Sequence, residues 1–149
     1  MTKRKPTPDE PFAVTRSQQE WKETLSPAQF AILREQATER AFTNSLGAET
    51  SPLLKEGRPG VYHCAGCDQP VYRSETKFDS GTGWPSFWDP IAGAIATRSD
   101  RSLLFRRTEV HCARCGGHLG HVFDDGPAPS GQRHCLNGLA LRFHPTAEP

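Results

Sequence analysis

The chain has 149 residues, 18 basic against 17 acidic, giving a net charge of +1 with histidine neutral. That length supports one domain able to bury a core without disulfides, and near-neutral charge removes the signature of a nucleic-acid or membrane-surface binder. Gly and Pro contribute 13 residues each against 35% hydrophobic residues, which argues against a helical bundle and for short strands joined by many turns.

Residues 1–16 contain Pro6, Pro8 and Pro11 and little apolar periodicity, so they are expected to form a flexible arm, with 17–149 as a single domain. Lys3-Arg4-Lys5 is not followed by the apolar run of a secretion signal, and no window approaches the ~18 apolar residues of a membrane span. A cytoplasmic protein is expected, where thiols stay reduced and clustered cysteines favour metal or catalysis over disulfides. Ser17-Gln-Gln-Glu20 and Ser26-Pro27-Ala28-Gln29 have the form of capping boxes. The spacing of Phe30, Leu33 and Ala37 predicts a helix over 27–38, with Trp21, Leu25 and Phe30 packing the helical pair onto the domain. After Gly47, Pro- and Gly-rich turns separate runs too short for helices. Strands are expected at Val61–Cys64, Pro70–Arg73, Ala94–Thr97, Leu103–Phe105, Thr108–His111, His121–Phe123 and Leu139–Phe143. The charges of Arg98, Asp100, Arg101, Arg106, Arg107 and Glu109 are expected on solvated faces and loops. The result is a mainly β fold with short N-terminal helices.

Four of the five cysteines form two matching pairs, Cys64-Ala-Gly-Cys67 and Cys112-Ala-Arg-Cys115. A two-residue gap lets both thiolates of a pair reach one ion from a tight turn, and four thiolates suit tetrahedral zinc with no open position. The zinc is therefore expected to be structural. Forty-four residues separate the pairs, against the ~15–20 of a zinc ribbon, so the metal clips together distant parts of the chain.

Cys135 is left over, in Gly131-Gln-Arg-His-Cys-Leu-Asn-Gly138 just before the expected last strand. A lone cysteine beside a strand is commonly a small buried hydrophobe. Here Arg133, His134 and Asn137 surround it with groups that stabilise a thiolate or address an oxygen on a reacting partner. Lowering any thiol's pKa from ~8.5 to ~6.5 raises its thiolate fraction about 25-fold at pH 7, but falling nucleophilicity returns about tenfold. A cysteine attacking a poor electrophile therefore needs an acid and oriented dipoles more than a lower pKa.

Three segments, Gly81-Thr-Gly-Trp-Pro-Ser-Phe87, Gly117-His-Leu-Gly-His-Val-Phe-Asp-Asp-Gly-Pro127 and Arg133-His-Cys-Leu-Asn137, together resemble methionine sulfoxide reductase B of the zinc-containing branch over about residues 17–145. The resemblance implies two antiparallel sheets in a tent-like arrangement with helices at one side. It implies thiol-dependent reduction of the R epimer of methionine sulfoxide in oxidised proteins, through a cysteine sulfenic acid. On the matching positions Cys135 is the nucleophile, His118, His121 and Asn137 form the polar side of the pocket, and Trp84 packs on the substrate methyl. Val122 and Phe123 wall the pocket, Arg133 supports it, and Cys64, Cys67, Cys112 and Cys115 hold Zn2+.

Many family members carry a resolving cysteine where this chain has Thr82. With four cysteines on zinc no spare thiol remains, so regeneration is expected to use thioredoxin or another external thiol. His134 stands where an aromatic ring is common. The rival readings are a zinc-stabilised binding module and Cys–His hydrolysis; the lone cysteine amid His, Asn and Arg argues against the first, and Gly83-Trp-Pro-Ser86 has no part in the second.

Overall fold

A computed structural model describes residues 12–100 and 107–146. Helices α1 (Gln18–Thr24) and α2 (Pro27–Glu35) begin at the two capping boxes. Ser17 Oγ accepts from the Glu20 N–H while the Glu20 carboxylate accepts from the Ser17 N–H, and Ser26 and Gln29 repeat the pattern. Helix α2 stops three residues short of its expected end. Gln36 turns left-handed (φ 61°, ψ 30°), and the Gln36 and Ala37 N–H groups bond back to the Ile32 and Ala31 carbonyls. That reversal sends residues 37–44 towards Trp84 and Asn137, which bond to Glu39. Trp21, Leu25 and Phe30 are buried as expected. Of the expected arm, Phe12 lies against His111 and the Val14 N–H bonds to the Arg114 carbonyl.

A short hairpin, β1 (Ser45–Leu46) and β2 (Glu49–Thr50), precedes the body. The body comprises β3 (Gly60–Cys64), β4 (Pro70–Arg73), β5 (Lys77–Phe78), β6 (Ser86–Phe87), β7 (Ile95–Asp100), β8 (Arg107–Cys112), β9 (His118–Phe123), β10 (Arg133–Leu136) and β11 (Leu141–Pro145). Among the described residues these form a six-stranded sheet, β5-β6-β10-β9-β8-β7, and a three-stranded sheet, β11-β3-β4. The pairings within both are antiparallel. The mainly β class with short N-terminal helices is what the structure shows.

Two differences from the sequence reading matter for the site. Cys135, just before the last strand as expected, itself lies in a strand, β10, between β6 and β9 in the large sheet, and residues 138–140 are a 3-10 turn rather than strand. The chain changes sheets across this turn, so β11 belongs to the small sheet. The expected strand Leu103–Phe105 lies outside the described residues, as do Arg101 and Arg106. Between the sheets, Tyr62 and Tyr72 from the small sheet pack on Phe87 from the large one at ring-centroid distances of 5.0 and 4.6 Å. No described helix is long and apolar enough to cross a membrane.

Candidate active site and metal centre

The two Cys-x-x-Cys turns lie at the end of β3 and at the end of β8, so one belongs to each sheet. Their sulfurs converge: Cys64 and Cys115 Sγ are 3.7 Å apart, Cys67 and Cys112 Sγ 3.5 Å, and all four lie within 4.8 Å of one another. Zn–S bonds of ~2.3 Å in a tetrahedron would separate sulfurs by about 3.8 Å, so the cluster has the size of a four-thiolate metal shell. N–H groups of Gly66, Arg114 and Gly117 point at Cys64, Cys112 and Cys115 Sγ from 3.3–3.4 Å, as ligand thiolates require. Hydrogen bonding with the Cys112 sulfur pushes the Cys64 thiol up and the Cys67 thiol down. A central cation would resolve that conflict by taking all four as thiolates. Trp21 covers the first turn and Leu33 the second, and Arg34 Nη1 donates to the Cys115 carbonyl at 3.0 Å.

Away from the cysteine cluster, Cys135, Trp84, His121, Phe123 and Asn137 line one recess of about 70 Å³ with Thr38, Arg107, Gly120 and Leu136. A larger groove of about 620 Å³ runs along Phe42, Leu54, Lys77 and Phe78, and no cysteine lines it. Cys135 is 9% exposed. Its strand register sets the neighbours: Cys135 pairs with Ser86 on β6 and with His121 on β9. Gly120, opposite Leu136, keeps β9 close, because a Cβ there would lie 2.0 Å from the Cys135 carbonyl oxygen.

Hydroxyls surround the sulfur. Thr82 Oγ1 is 3.5 Å from Cys135 Sγ, and the Ser86 hydroxyl donates to it at 3.9 Å. Ser80 Oγ lies 2.8 Å from both, tying the three hydroxyls into one network. Gly83 forms the tight part of this turn at φ 90°, its carbonyl accepting from the Phe42 N–H and from Asn44 Nδ2. Sequence reasoning placed Thr82 here only as the absence of a thiol and missed Ser80 and Ser86. The signal available was three hydroxylated residues around one Gly-rich turn.

Glu39, also missed, braces the recess from the segment after α2. Its N–H donates to Asn137 Oδ1 (3.0 Å) and its carbonyl accepts from Trp84 Nε1 (3.1 Å). Its carboxylate accepts from the Gly138 and Leu139 N–H groups and from Asn44 Nδ2. Burial nonetheless pushes the Glu39 carboxyl up against those hydrogen bonds. Asn137 is bonded to backbone at both ends of its amide, since Nδ2 donates to the Leu119 carbonyl at 3.1 Å, which among the described residues leaves one Nδ2 proton uncommitted.

Not all the residues picked out from the sequence line the recess. His118 is buried beside it: Nδ1 donates to Glu109 Oε2 at 2.6 Å, its ring meets that of His121 at 5.3 Å, and Nε2 has no hydrogen-bond partner among the described residues. Val122 packs against the core. Arg133 forms a bidentate pair with Asp125 (2.9 and 3.1 Å) and stacks over Phe123 at 4.4 Å. That pair first, and the nearby Cys135 thiol after it, push the Arg133 guanidinium pKa up.

Glu109 is a correction to the expected solvated face. It is 2% exposed and holds Arg98, His118 and Gln36. Burial opposes its charge, but hydrogen bonds from His118 and Arg98 outweigh that and hold the carboxyl down at about 2. His134 faces away from Cys135, its Nδ1 2.8 Å from Tyr72 Oη and its ring edge-on to Tyr72 at 5.5 Å. Burial lowers its pKa to about 4. Burial also holds the Tyr72 phenol protonated, so Tyr72 donates to Nδ1 and Nε2–H donates to Gln132 Oε1. Neutral His134 thus fills an aromatic position of the inter-sheet core.

A SelR-domain family model matches residues 25–145. The chain belongs to the SelR-domain family. This SelR-domain chain is 47% identical over 133 residues to the peptide methionine sulfoxide reductase MsrB of Agrobacterium fabrum, covering 89% of this chain and 93% of that one. It is 48% identical to the MsrB of Methanosarcina barkeri, covering 88% of each. The chloroplastic peptide methionine sulfoxide reductase B1 of Arabidopsis thaliana is 50% identical over 86% of this chain and 60% of its own length. Among solved structures, a Mis18 "Yippee-like" domain shares the fold over 61% of this chain and all of its own, with a TM-score of 0.50 at 19% identity.

Proposed function

We propose that this SelR-domain protein reduces the R epimer of methionine sulfoxide in oxidised proteins to methionine. The observation that carries the reading is the placement of Cys135 in a recess walled by Trp84, His121 and Phe123, within a chain of this family. In the first step Cys135 Sγ attacks the sulfoxide sulfur, the S–O bond breaks, and the oxygen, with one proton, passes to Cys135. Methionine leaves reduced by two electrons and Cys135 remains as the sulfenic acid, the reversible first rung of cysteine oxidation. Two external thiols then restore Cys135, releasing water and becoming a disulfide; thioredoxin or another thiol reductant of the cytoplasm fills this role.

His121, in the recess and opposite Cys135 in the β ladder, is our candidate to deliver the proton to the developing oxyanion. His118, anchored by Glu109, stands behind it as the buttress of that ring. Trp84, fixed by its indole bond to Glu39, offers a flat apolar face for the substrate methyl, and Phe123 with its stacked Arg133 closes the opposite wall. Asn137 fixes the β9–β10 end of the recess and retains one amide proton for the sulfoxide oxygen. The four cysteines would hold Zn2+ as a structural clamp between the sheets, supplying no chemistry at Cys135.

The test is dithiothreitol-dependent reduction of dabsylated R-methionine sulfoxide by the wild type and by Cys135→Ser. Activity in the wild type and none in the variant is expected, with dimedone trapping one sulfenic acid per chain after a single turnover. An inert wild type, or a variant that still turns over, overturns the reading.

A further inference from the structure

Beyond the recess and the four-cysteine centre, one other set of donor atoms converges. His63 on β3 and His144 on β11 stand on the same outward face of the small sheet, diagonal across the ladder, since His63 pairs with Arg142 and His144 with Val61. Their ring centroids are 4.0 Å apart. Asp68, left-handed at φ 66° in the turn after β3, brings its carboxylate between them. Its Oδ1 is 3.5 Å from His63 Nδ1 and 3.3 Å from His144 Nε2, and its carbonyl oxygen is 2.8 Å from His63 Nδ1.

We propose that His63, Asp68 and His144 form a second cation site, distinct from the four-cysteine centre and specific for a divalent transition ion such as Ni2+, Cu2+ or Zn2+. Metal–nitrogen and metal–oxygen bonds of ~2.0–2.2 Å put neighbouring donors about 2.9 Å apart in an octahedron and about 3.4 Å apart in a tetrahedron. The separations present, 2.8, 3.3 and 3.5 Å, are already those of ligands on one ion. Two imidazoles and one carboxylate favour these metals over Mg2+ and Ca2+, which take all-oxygen shells. The Asp68 carbonyl oxygen, 2.8 Å from His63 Nδ1, offers a further ligand to the same ion. Side-chain exposures of 55% for Asp68 and 49% for His144 leave the remaining positions to water. Such an ion would staple the turn that carries Cys64 and Cys67 to β11.

Calorimetric titration of Ni2+ into the full chain, without a histidine tag and with zinc in its cysteine centre, tests this. One Ni2+ per chain beyond the zinc is expected, with paramagnetic broadening of the His63 and His144 ring resonances. His144→Ala, at the exposed end of β11, is expected to weaken binding at least tenfold while melting temperature and sulfoxide reduction stay unchanged. Asp68→Asn is expected to weaken it as well. No binding beyond the zinc, or full binding by His144→Ala, overturns the proposal whether or not the chain reduces sulfoxides.

Discussion

At the scale of single residues, the division of labour around Cys135 is open to direct test. If His121 supplies a proton rather than tuning the thiol, His121→Ala should slow single-turnover sulfoxide reduction by about 10²-fold or more. Alkylation of Cys135 by iodoacetamide should stay within a few-fold of wild type; stopped-flow and alkylation rates measured together distinguish the two roles. Thr82 gives a second test. Its Oγ1 is already 3.5 Å from Cys135 Sγ, so a sulfur in its place needs only a modest shift to reach the ~2.05 Å of a disulfide. Thr82→Cys should therefore convert the sulfenic acid to an internal disulfide. Mass spectrometry after one turnover would show a loss of two hydrogens and no dimedone adduct, whereas a dimedone-reactive variant would contradict this placement.

At the scale of elements, the recess depends on segments that touch no substrate. Strands β9 and β10 approach closely because Gly120 has no side chain. Gly120→Ala should thus force the strands apart, destabilise the fold by several kcal/mol in urea unfolding, and lower activity in whatever folds. The segment after α2 matters for a different reason, since among the described residues Glu39 alone satisfies the Gly138 and Leu139 N–H groups at the sheet-to-sheet turn. Glu39→Ala should cost about 2–4 kcal/mol by leaving those donors buried and unpaired, and Glu39→Gln, which keeps an acceptor, much less. The capping boxes and most β-branched strands of these elements are legible in sequence because their signals are local. Strand β10 is not. Its Arg-His-Cys-Leu run has no polar alternation, because His134 faces the inter-sheet core while Cys135 faces the buried recess. Glu109 fails for a related reason: a carboxylate reads as solvent-facing until the neighbouring strands bring Arg98 and His118, and the end of α2 brings Gln36, to it.

At the scale of the molecule, the metal and the inter-sheet core set stability. The four-cysteine clamp joins one turn from each sheet, so chelation should lower the melting temperature, with activity lost only as the fold is lost. Equal calorimetric melting with and without metal would contradict a structural role. Acid should act on the core. His134 keeps a folded pKa of about 4 against ~6.5 unfolded, so the unfolded chain binds the extra proton first. Its stabilising effect is whole above about pH 6.5 and should disappear as pH falls towards 4, a loss of a few kcal/mol; Glu109, held down at about 2, should add a further loss below about pH 4.5. Urea midpoints across this range should show the slope, and His134→Phe should remove its upper part. The cysteine spacing makes the clamp legible in sequence, but the pairing of one turn with each sheet is a product of topology. Finally, Cys135 lies at the bottom of a narrow recess, 9% exposed, with hydroxyls and no thiol touching it. A recess of about 70 Å³ would also ration whatever comes to recharge the enzyme. Electron donors should then be sorted by girth as well as by redox potential, with a slim thiol or a protruding cysteine edge gaining entry where a flat protein surface does not.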